Sequence, residues 1–181
     1  DELRRLMRSH GGDAVGVPLR GANGEEEINS TRIRAMISTG AVTDAGRLLG
    51  RPYAIRGRVV EGDHRGRTIG FPTANVSTSN ELIPPHGVYA TAVAIDGHMR
   101  PSVTNIGQRP TFGDRLATTI ETHVMSPPSD SASWNLYGRQ VRLAFVQRLR
   151  DERKFPDLEA LQEQISADVR RATRLFDRLS V

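Results

Sequence analysis

A glycine-rich segment that ends in a hydroxyl and a carboxamide is the part of the sequence best suited to bind phosphate and a metal ion. Residues 57–75 read GRVVEGDHRGRTIGFPTAN, with glycine at four positions. Glycine lets the backbone approach a ligand closely, and backbone amides can cradle phosphate oxygens. Because alternate side chains of a strand share a face, Thr73 and Asn75 can offer two neutral oxygen ligands to a hard cation such as Mg2+. The glycines alone are equally explained by a hairpin followed by a proline-stiffened turn.

This segment is not a Walker-type phosphate loop. In the nearest frame Glu61 stands where that loop has glycine, and Arg67 stands where it has lysine. Lys154 is the only lysine in the chain, so no earlier lysine can contact nucleotide phosphates as it does in P-loop proteins and protein kinases. Both of those phosphate sites are therefore excluded.

Glu121 is the candidate for proton transfer. Strand alternation over residues 118–125 places it on the face opposite an apolar one. The two faces comprise Ile120, Thr122 and Val124 on one side and Thr119, Glu121 and His123 on the other. A lone carboxylate on a strand surface is usually just solvated. Beside a metal-bound phosphate it can instead accept the proton of an attacking hydroxyl.

The elements that must position these residues are predicted to be mostly strands. They are Tyr53–Val60, Gly87–Ile95, His98–Ile106, Ala117–Met125 and Gln140–Leu149. Asp96-Gly97 supplies the positive φ angles of a tight hairpin turn between two of them. Short strands separated by turn residues favour an antiparallel barrel or sandwich. A final helix, opened by Pro156 and Asp157, repeats apolar residues three and four positions apart and is expected to cover the core.

The N-terminal quarter has a different pattern. It predicts a helix over Glu2–Ser9 and a short strand over Ala14–Pro18. Two short helices follow: the first is capped by Asn29 or Ser30 and stops at Gly40, and the second is capped by Thr43 and ends at Gly50. Because Gly50-Arg51-Pro52 interrupts the helical pattern, we place a boundary there.

Composition narrows the classes of function. The 181 residues include no cysteine, which excludes disulfides and thiolate metal sites and suits a reducing compartment. No run approaches the ~18 apolar residues that span a bilayer, so we expect a soluble, cytoplasmic protein with no membrane partner. The net charge of +4 comes from arginines scattered among acids, so nucleic acid is not the expected ligand. The five histidines lack the close spacing of a transition-metal site.

Taken together, these segments resemble the riboflavin kinase domain of bifunctional bacterial FAD synthases and of stand-alone riboflavin kinases. The similarity begins with GRPYAIRGRVVEGDHRGRTIGFPTAN at residues 50–75 and continues through five shorter strings. These are IPPHGVY (83–89), NIGQRPTF (105–112), ETH (121–123), LYG (136–138) and LRDERKF (149–155). The resemblance covers the chain from about Leu49 to the C-terminus.

The resemblance implies a mainly β fold, an antiparallel Greek-key-type β-barrel of about six strands with a C-terminal helix. It implies that MgATP phosphorylates the ribityl hydroxyl of riboflavin, giving FMN and ADP. By match, Glu121 is the catalytic base, while Thr73 and Asn75 bind Mg2+ and nucleotide phosphate. Gly62 and Arg67 are expected to hold ATP. The expected flavin contacts are Arg109, Thr111, Phe112, Arg150, Arg153 and Phe155.

Residues 29–34, NSTRIR, resemble the second signature of the nucleotidyltransferase half of FAD synthases. By match Ser30, Thr31 and Arg34 engage ATP, although a simple helix cap explains the pattern equally well. The histidine-bearing first signature of that half is missing from the sequence. We therefore interpret residues 1–48 as the C-terminal part of an FMN adenylyltransferase domain with its linker, and residues 49–181 as the riboflavin kinase domain.

This interpretation leads us to expect a longer parent chain that contributes the missing N-terminal adenylyltransferase half. The start at Asp1, without an initiator methionine, leads to the same expectation. The chain shown here should then make FMN and no FAD by itself.

Two other classes of function remain open at this point. A non-catalytic flavin- or nucleotide-binding module would keep the barrel but would need no base, so Glu121 with Thr73 and Asn75 favours the enzyme. A basic RNA-binding barrel would need aromatic residues interleaved with basic ones along a strand face. The nine aromatic residues form no such stripe.

Overall fold

The computed structural model describes residues 2–15, 28–62, 66, 69–110, 116–125 and 135–179. Within these ranges six strands form one closed antiparallel barrel. The strands are β1 (Tyr53–Val60), β2 (Ala74–Ser77), β3 (Gly87–Ile95), β4 (His98–Pro110), β5 (Leu116–Val124) and β6 (Gln140–Arg150). Their order around the barrel is β1-β2-β5-β4-β3-β6, and β6 pairs back with β1. The predicted mainly β barrel is confirmed.

The interior of the barrel is filled by alternate residues of its strands, as period-two patterning requires. The buried cluster includes Ile55, Tyr89, Ile106, Leu143 and Phe145. Burial raises the pKa of Tyr89, whose hydroxyl donates a 2.6 Å hydrogen bond to the carbonyl of Pro85.

Four buried hydroxyls lie among these apolar side chains and satisfy one another. Thr91 bonds to Ser102 and Thr104 at 2.8 and 2.7 Å, and Thr104 donates to Thr122 at 2.8 Å. Because a buried hydroxyl without a partner is costly, this chain of bonds favours one register of β3, β4 and β5.

A long helix, α4 (Leu158–Leu179), covers part of the outer surface of the barrel. Ala172 and Phe176 of α4 pack with outward-facing residues of β3, β4 and β6, among them Val88, Val103 and Leu149. Asp157 caps the helix by accepting a 2.8 Å bond from the backbone N–H of Ala160. The predicted core-covering helix is confirmed.

Local sequence predicted most strand boundaries. β1 and β3 have the predicted limits, and the turn between β3 and β4 has φ of 51° at Asp96 and 82° at Gly97. β4 continues four residues past the predicted end at Ile106, because it pairs with β5 as far as Pro110. β2 was not among the predicted strands, since a four-residue run carries too little periodicity.

The N-terminal part contributes three helices: α1 (Glu2–Ser9), α2 (Ser30–Ser38) and α3 (Val42–Leu49). The side chain of Asn29 caps α2 by accepting from the backbone N–H of Arg32 at 2.8 Å. Gly50 ends α3 in the left-handed conformation, as predicted. Val42 is buried within the barrel cluster, so α3 packs directly on the barrel.

Two predictions in this part need correction. Thr43 does not cap α3: it lies inside the helix, and its hydroxyl donates to the carbonyl of Val146 at 3.0 Å. The Thr43 hydroxyl thus bonds to β6 instead of capping the helix. Of the predicted strand 14–18, Ala14 and Val15 have no regular structure, and the rest lies outside the described residues. Among the described helices, none is both long and apolar enough to cross a membrane.

Candidate active site

Three polar residues form a row across neighbouring strands. Glu121 of β5 pairs with Asn75 of β2 on one side and with Asn105 of β4 on the other. Cross-strand neighbours in antiparallel pairs have Cβ atoms about 4.5–5.5 Å apart and project from the same face. Ile120, Thr122 and Val124 are buried in the barrel, whereas Glu121 is half-buried. The predicted split of β5 into two faces is confirmed, and it places Glu121 between two carboxamides.

Two glycines of the glycine-rich segment, Gly62 and Gly66, lie close to the side chains of Asn75 and Thr73. A Cβ atom added to Gly62 would lie 2.0 Å from Asn75 Nδ2, and one added to Gly66 would lie 3.1 Å from Thr73 Oγ1. Both glycine backbones therefore touch the two side chains that were predicted to bind metal. No larger residue fits at Gly62 unless the Asn75 carboxamide moves.

The chemistry of this set of donors fits Mg2+. A hydroxyl and an amide oxygen are hard ligands, and the carboxylate of Glu121 is the strand neighbour of Asn75. Thr73 and Asn75 are both half-buried, which leaves room for phosphate oxygens and water to complete an octahedron.

His123 links the residues just before this candidate metal-binding pair to β5. Its Nδ1 lies 2.9 Å from the carbonyl oxygen of Pro72. Its ring meets that of Phe71 edge to face, with the centroids 5.5 Å apart. Thus both residues before Thr73 contact a single side chain of β5.

A second carboxylate, which the sequence did not single out, lies near the row. Glu152 places Oε1 2.4 Å from the position that a Cβ of Gly107 would occupy. The same position is 3.2 Å from Asn105 Nδ2, so Glu152 and Asn105 both lie close to Gly107. Strand alternation along β4 could have predicted that Asn105 and Gly107 share the outer face. The approach of Glu152 could not be predicted, because it depends on the path of the loop after β6.

The end of β6 and the loop that follows it hold three of the predicted flavin contacts close together. The guanidinium of Arg150 lies 5.7 Å from the ring centroid of Phe155, and that of Arg153 lies 4.9 Å from it. Arg153 also bonds to Gln164 of α4. An aromatic ring with guanidinium groups beside it is the kind of surface that a planar ligand can border or stack on.

Arg150 also has a structural role that the sequence did not reveal. Its Nη2 and Nε both lie 2.9 Å from Oδ2 of Asp168 on α4, and Asp168 is buried. Nη1 donates to the carbonyl of Asp151 at 2.9 Å. The ion pair therefore joins the end of β6 to the middle of α4.

A polar cavity of about 570 Å3 lies against the same helix. Arg153, Gln164 and Arg170 contribute to its lining, whereas Thr73, Asn75 and Glu121 do not.

The remaining predicted residues lie elsewhere. Arg109 is half-buried on β4, where it pairs with Ala117. Ser30 and Thr31 begin α2, and Arg34 donates to the Ser30 hydroxyl at 3.2 Å. Helix α2 packs on α3, which lies against β6 and β1, whereas Glu121 lies on β5. Arg67, Thr111 and Phe112 lie outside the described residues.

The chain matches a family model and curated bacterial proteins over most of its length. The family model for flavokinase, described as riboflavin kinase, matches residues 49–176. The bifunctional riboflavin kinase/FMN adenylyltransferase of Bacillus subtilis is 40% identical over 158 residues, which cover 86% of this chain and 48% of that protein. The protein of the same description from Pseudomonas fluorescens is 40% identical over 148 residues, covering 82% and 46%. This chain thus spans about half the length of the curated relatives it matches.

A solved structure supports the likeness of fold. The crystal structure of a protein described as a macrolide-efflux protein from Streptococcus pneumoniae matches with a TM-score of 0.77 and 35% identity. The match covers 90% of this chain and 52% of that one.

Proposed function

The chain belongs to the riboflavin kinase family, and on that premise we propose that it transfers the γ-phosphate of MgATP to the ribityl 5′-hydroxyl of riboflavin, giving FMN and ADP. The observation that carries the proposal is the pairing of Glu121 with Asn75, next to Thr73 and under the glycines of the segment 57–75. A carboxylate, a hydroxyl, a carboxamide and close glycine backbone lie near one another, which supports these roles. Phosphoryl transfer needs this combination.

Thr73 and Asn75 would hold Mg2+, which when bound neutralises charge on the β- and γ-phosphates. The backbones at Gly62 and Gly66 come close enough to these side chains for their amides to border the phosphates. In the proposal Gly62 and Arg67 hold ATP.

Glu121 acts as the general base in this proposal. Its carboxylate accepts the proton of the 5′-hydroxyl while that oxygen attacks the γ-phosphorus, and ADP leaves on the opposite side. Asn75 and Asn105 flank the carboxylate on the neighbouring strands and can orient it by hydrogen bonding. A binding module without turnover would not need a carboxylate at this position.

The isoalloxazine ring is proposed to bind beside the loop after β6. Arg153 and Phe155 present a stacking surface, and Arg150 borders it. Arg109, Thr111 and Phe112 are proposed as further flavin contacts.

The division of the chain is part of the proposal. We propose that residues 1–48 come from an adenylyltransferase half, with Ser30, Thr31 and Arg34 as its nucleotide contacts, and that residues 49–181 form the kinase. The relatives are described as bifunctional and are about twice as long as this chain, which supports an adenylyltransferase half in the parent. The proposed location is the cytoplasm, where MgATP is available, with riboflavin and ATP as the partners.

Incubation of the chain with riboflavin and MgATP, followed by chromatography, tests the function. FMN without FAD is the expected pattern. Riboflavin that remains unchanged while still bound to the protein would support a binding module, and FAD would contradict the assignment of residues 1–48.

A further inference from the structure

The contact between β2 and β5 is short although it joins the candidate metal ligands to the candidate base. Its register comprises two pairs, Ala74 with Thr122 and Asn75 with Glu121. Continued by one residue, the same register would place Thr73 opposite His123. Thr73 nevertheless lies before the start of β2, and Pro72 has no N–H with which to extend the backbone ladder. The backbone therefore leaves one of the two metal ligands outside the strand pairing.

The side chain of His123 supplies the missing link at this point. Its Nδ1 lies 2.9 Å from the Pro72 carbonyl oxygen. A carbonyl can only accept, so Nδ1 carries the hydrogen in this bond. The edge-to-face contact with Phe71 adds a second hold on the same segment. His123 thus contacts both residues that precede Thr73.

The rest of β2 is fixed independently of His123. β2 also pairs with β1, where Asn75, Val76 and Ser77 face Val60, Val59 and Arg58. Closure of the barrel therefore does not depend on residues 71–73. Loss of the His123 contact should let Thr73 shift relative to Glu121 while the barrel stays closed.

Among the described bonds, the other ties of this segment are few. Phe71 N–H donates to the Gly66 carbonyl at 2.8 Å, within the glycine-rich segment itself. Gln162 of α4 donates to the Ile69 carbonyl at 3.3 Å, which is long for an N–H donor. Neither bond reaches β5.

We propose that His123 is a positioning residue for phosphoryl transfer, which sets the position of Thr73 relative to Glu121 through its hydrogen bond to Pro72. The proposal rests on the kinase function proposed above. His123 acts through the backbone of residues 71–73, because its Nδ1 is bonded to the carbonyl of Pro72. Its effect should therefore fall on binding of the metal–nucleotide, and not on binding of riboflavin.

Two substitutions separate the two contacts of His123. His123→Asn places an amide nitrogen close to the position of Nδ1, so it can still donate to Pro72 while it loses the ring. His123→Phe keeps an aromatic ring against Phe71 and loses the donor. His98→Phe, at an exposed histidine beside the β3–β4 turn, is the matched control.

The readouts are steady-state kinetics, calorimetric titration of MgADP and thermal unfolding of the 181-residue chain. For His123→Phe we expect KM for MgATP and Kd for MgADP to rise about five- to tenfold, the effect of losing one hydrogen bond. KM for riboflavin and the unfolding temperature should stay close to wild type. His123→Asn should restore most of the MgADP affinity, and His98→Phe should change nothing.

Wild-type MgADP affinity in His123→Phe would overturn the proposal. Equal losses in His123→Phe and His123→Asn would overturn it too, because the hydrogen bond would not be the cause. Absence of FMN formation by the wild-type chain would contradict the kinase function but leave the comparison of MgADP affinities valid. If the wild-type chain forms FMN and His123→Phe binds MgADP as tightly as wild type does, only the role of His123 is contradicted.

Discussion

Asn75 and Glu121 lie directly opposite each other in the antiparallel ladder of β2 and β5. Thr73, two residues before Asn75, completes the candidate metal pair, and Gly62 packs against the Asn75 carboxamide. Strand register thereby fixes the candidate base relative to Asn75, one of the two candidate metal ligands. In the proposed reaction, substitution of Glu121 on β5 should affect proton transfer, whereas substitution of Asn75 on β2 should affect metal binding.

Glu121→Gln should lower kcat by about 10²–10⁴-fold, because the change is nearly isosteric and removes the proton acceptor. The Kd for riboflavin and the unfolding temperature should change little. Glu81→Gln, at an exposed carboxylate, is the control and should keep wild-type kinetics. A Glu121→Gln effect confined to KM would mean that Glu121 orients substrate and is not the base.

Thr73→Ala and Asn75→Ala should each raise the Mg2+ concentration needed for half-maximal activity. Loss of an outer-shell partner already costs about 10–100-fold in metal affinity, so loss of a direct ligand should cost at least about tenfold. Activity as a function of Mg2+ measures this effect, with Ser77→Ala at an exposed hydroxyl of the same strand as control. An unchanged Mg2+ dependence in both variants would rule out this metal site.

Gly62→Ala should impair turnover more than stability. Its added Cβ would stand 2.0 Å from Asn75 Nδ2, so the carboxamide must move, and small misplacements in an active site can cost about 10²-fold. Gly46→Ala is a matched control within α3, where the nearest atom is 3.6 Å away. It should keep full activity and gain about 0.5–1 kcal/mol of stability. Full MgATP turnover in Gly62→Ala would show that the Asn75 carboxamide is not needed in its present place.

Arg150→Ala should reduce both stability and riboflavin affinity. It leaves the buried Asp168 carboxylate without its cation, which typically costs about 3–5 kcal/mol. Arg47→Ala removes a pair that is mostly exposed and should cost little. Chemical denaturation compares the two variants.

Asp168→Asn separates the two roles of Arg150, because it weakens the ion pair and keeps the guanidinium. If Arg150 contacts the flavin, riboflavin affinity falls in Arg150→Ala and is largely retained in Asp168→Asn. Equal affinities in wild type and Arg150→Ala, measured on folded protein, would remove Arg150 from the flavin site.

The sequence predicted those features of the fold that depend on local residue patterns. Alternation along β5 predicted which side of the strand carries Glu121, and Asp96-Gly97 predicted the β3–β4 turn. Periodicity could not predict that Asn75 lies opposite Glu121. Strand β2 is only four residues long, and its partner β5 is not its neighbour in the sequence. The burial of Val42 in the barrel cluster and the bond of Thr43 to Val146 also depend on tertiary contacts. Because of that bond, Thr43 lies inside α3 and does not cap it.

Transfer of radiolabel from γ-labelled ATP to riboflavin tests the central claim most directly. With Mg2+ present, the account predicts labelled FMN and an equal amount of ADP from the wild-type chain. Chelation of Mg2+ should abolish the transfer, and Glu121→Gln should slow it by about 10²–10⁴-fold. Label that stays in ATP or appears as free phosphate, while riboflavin is unchanged, would contradict the account.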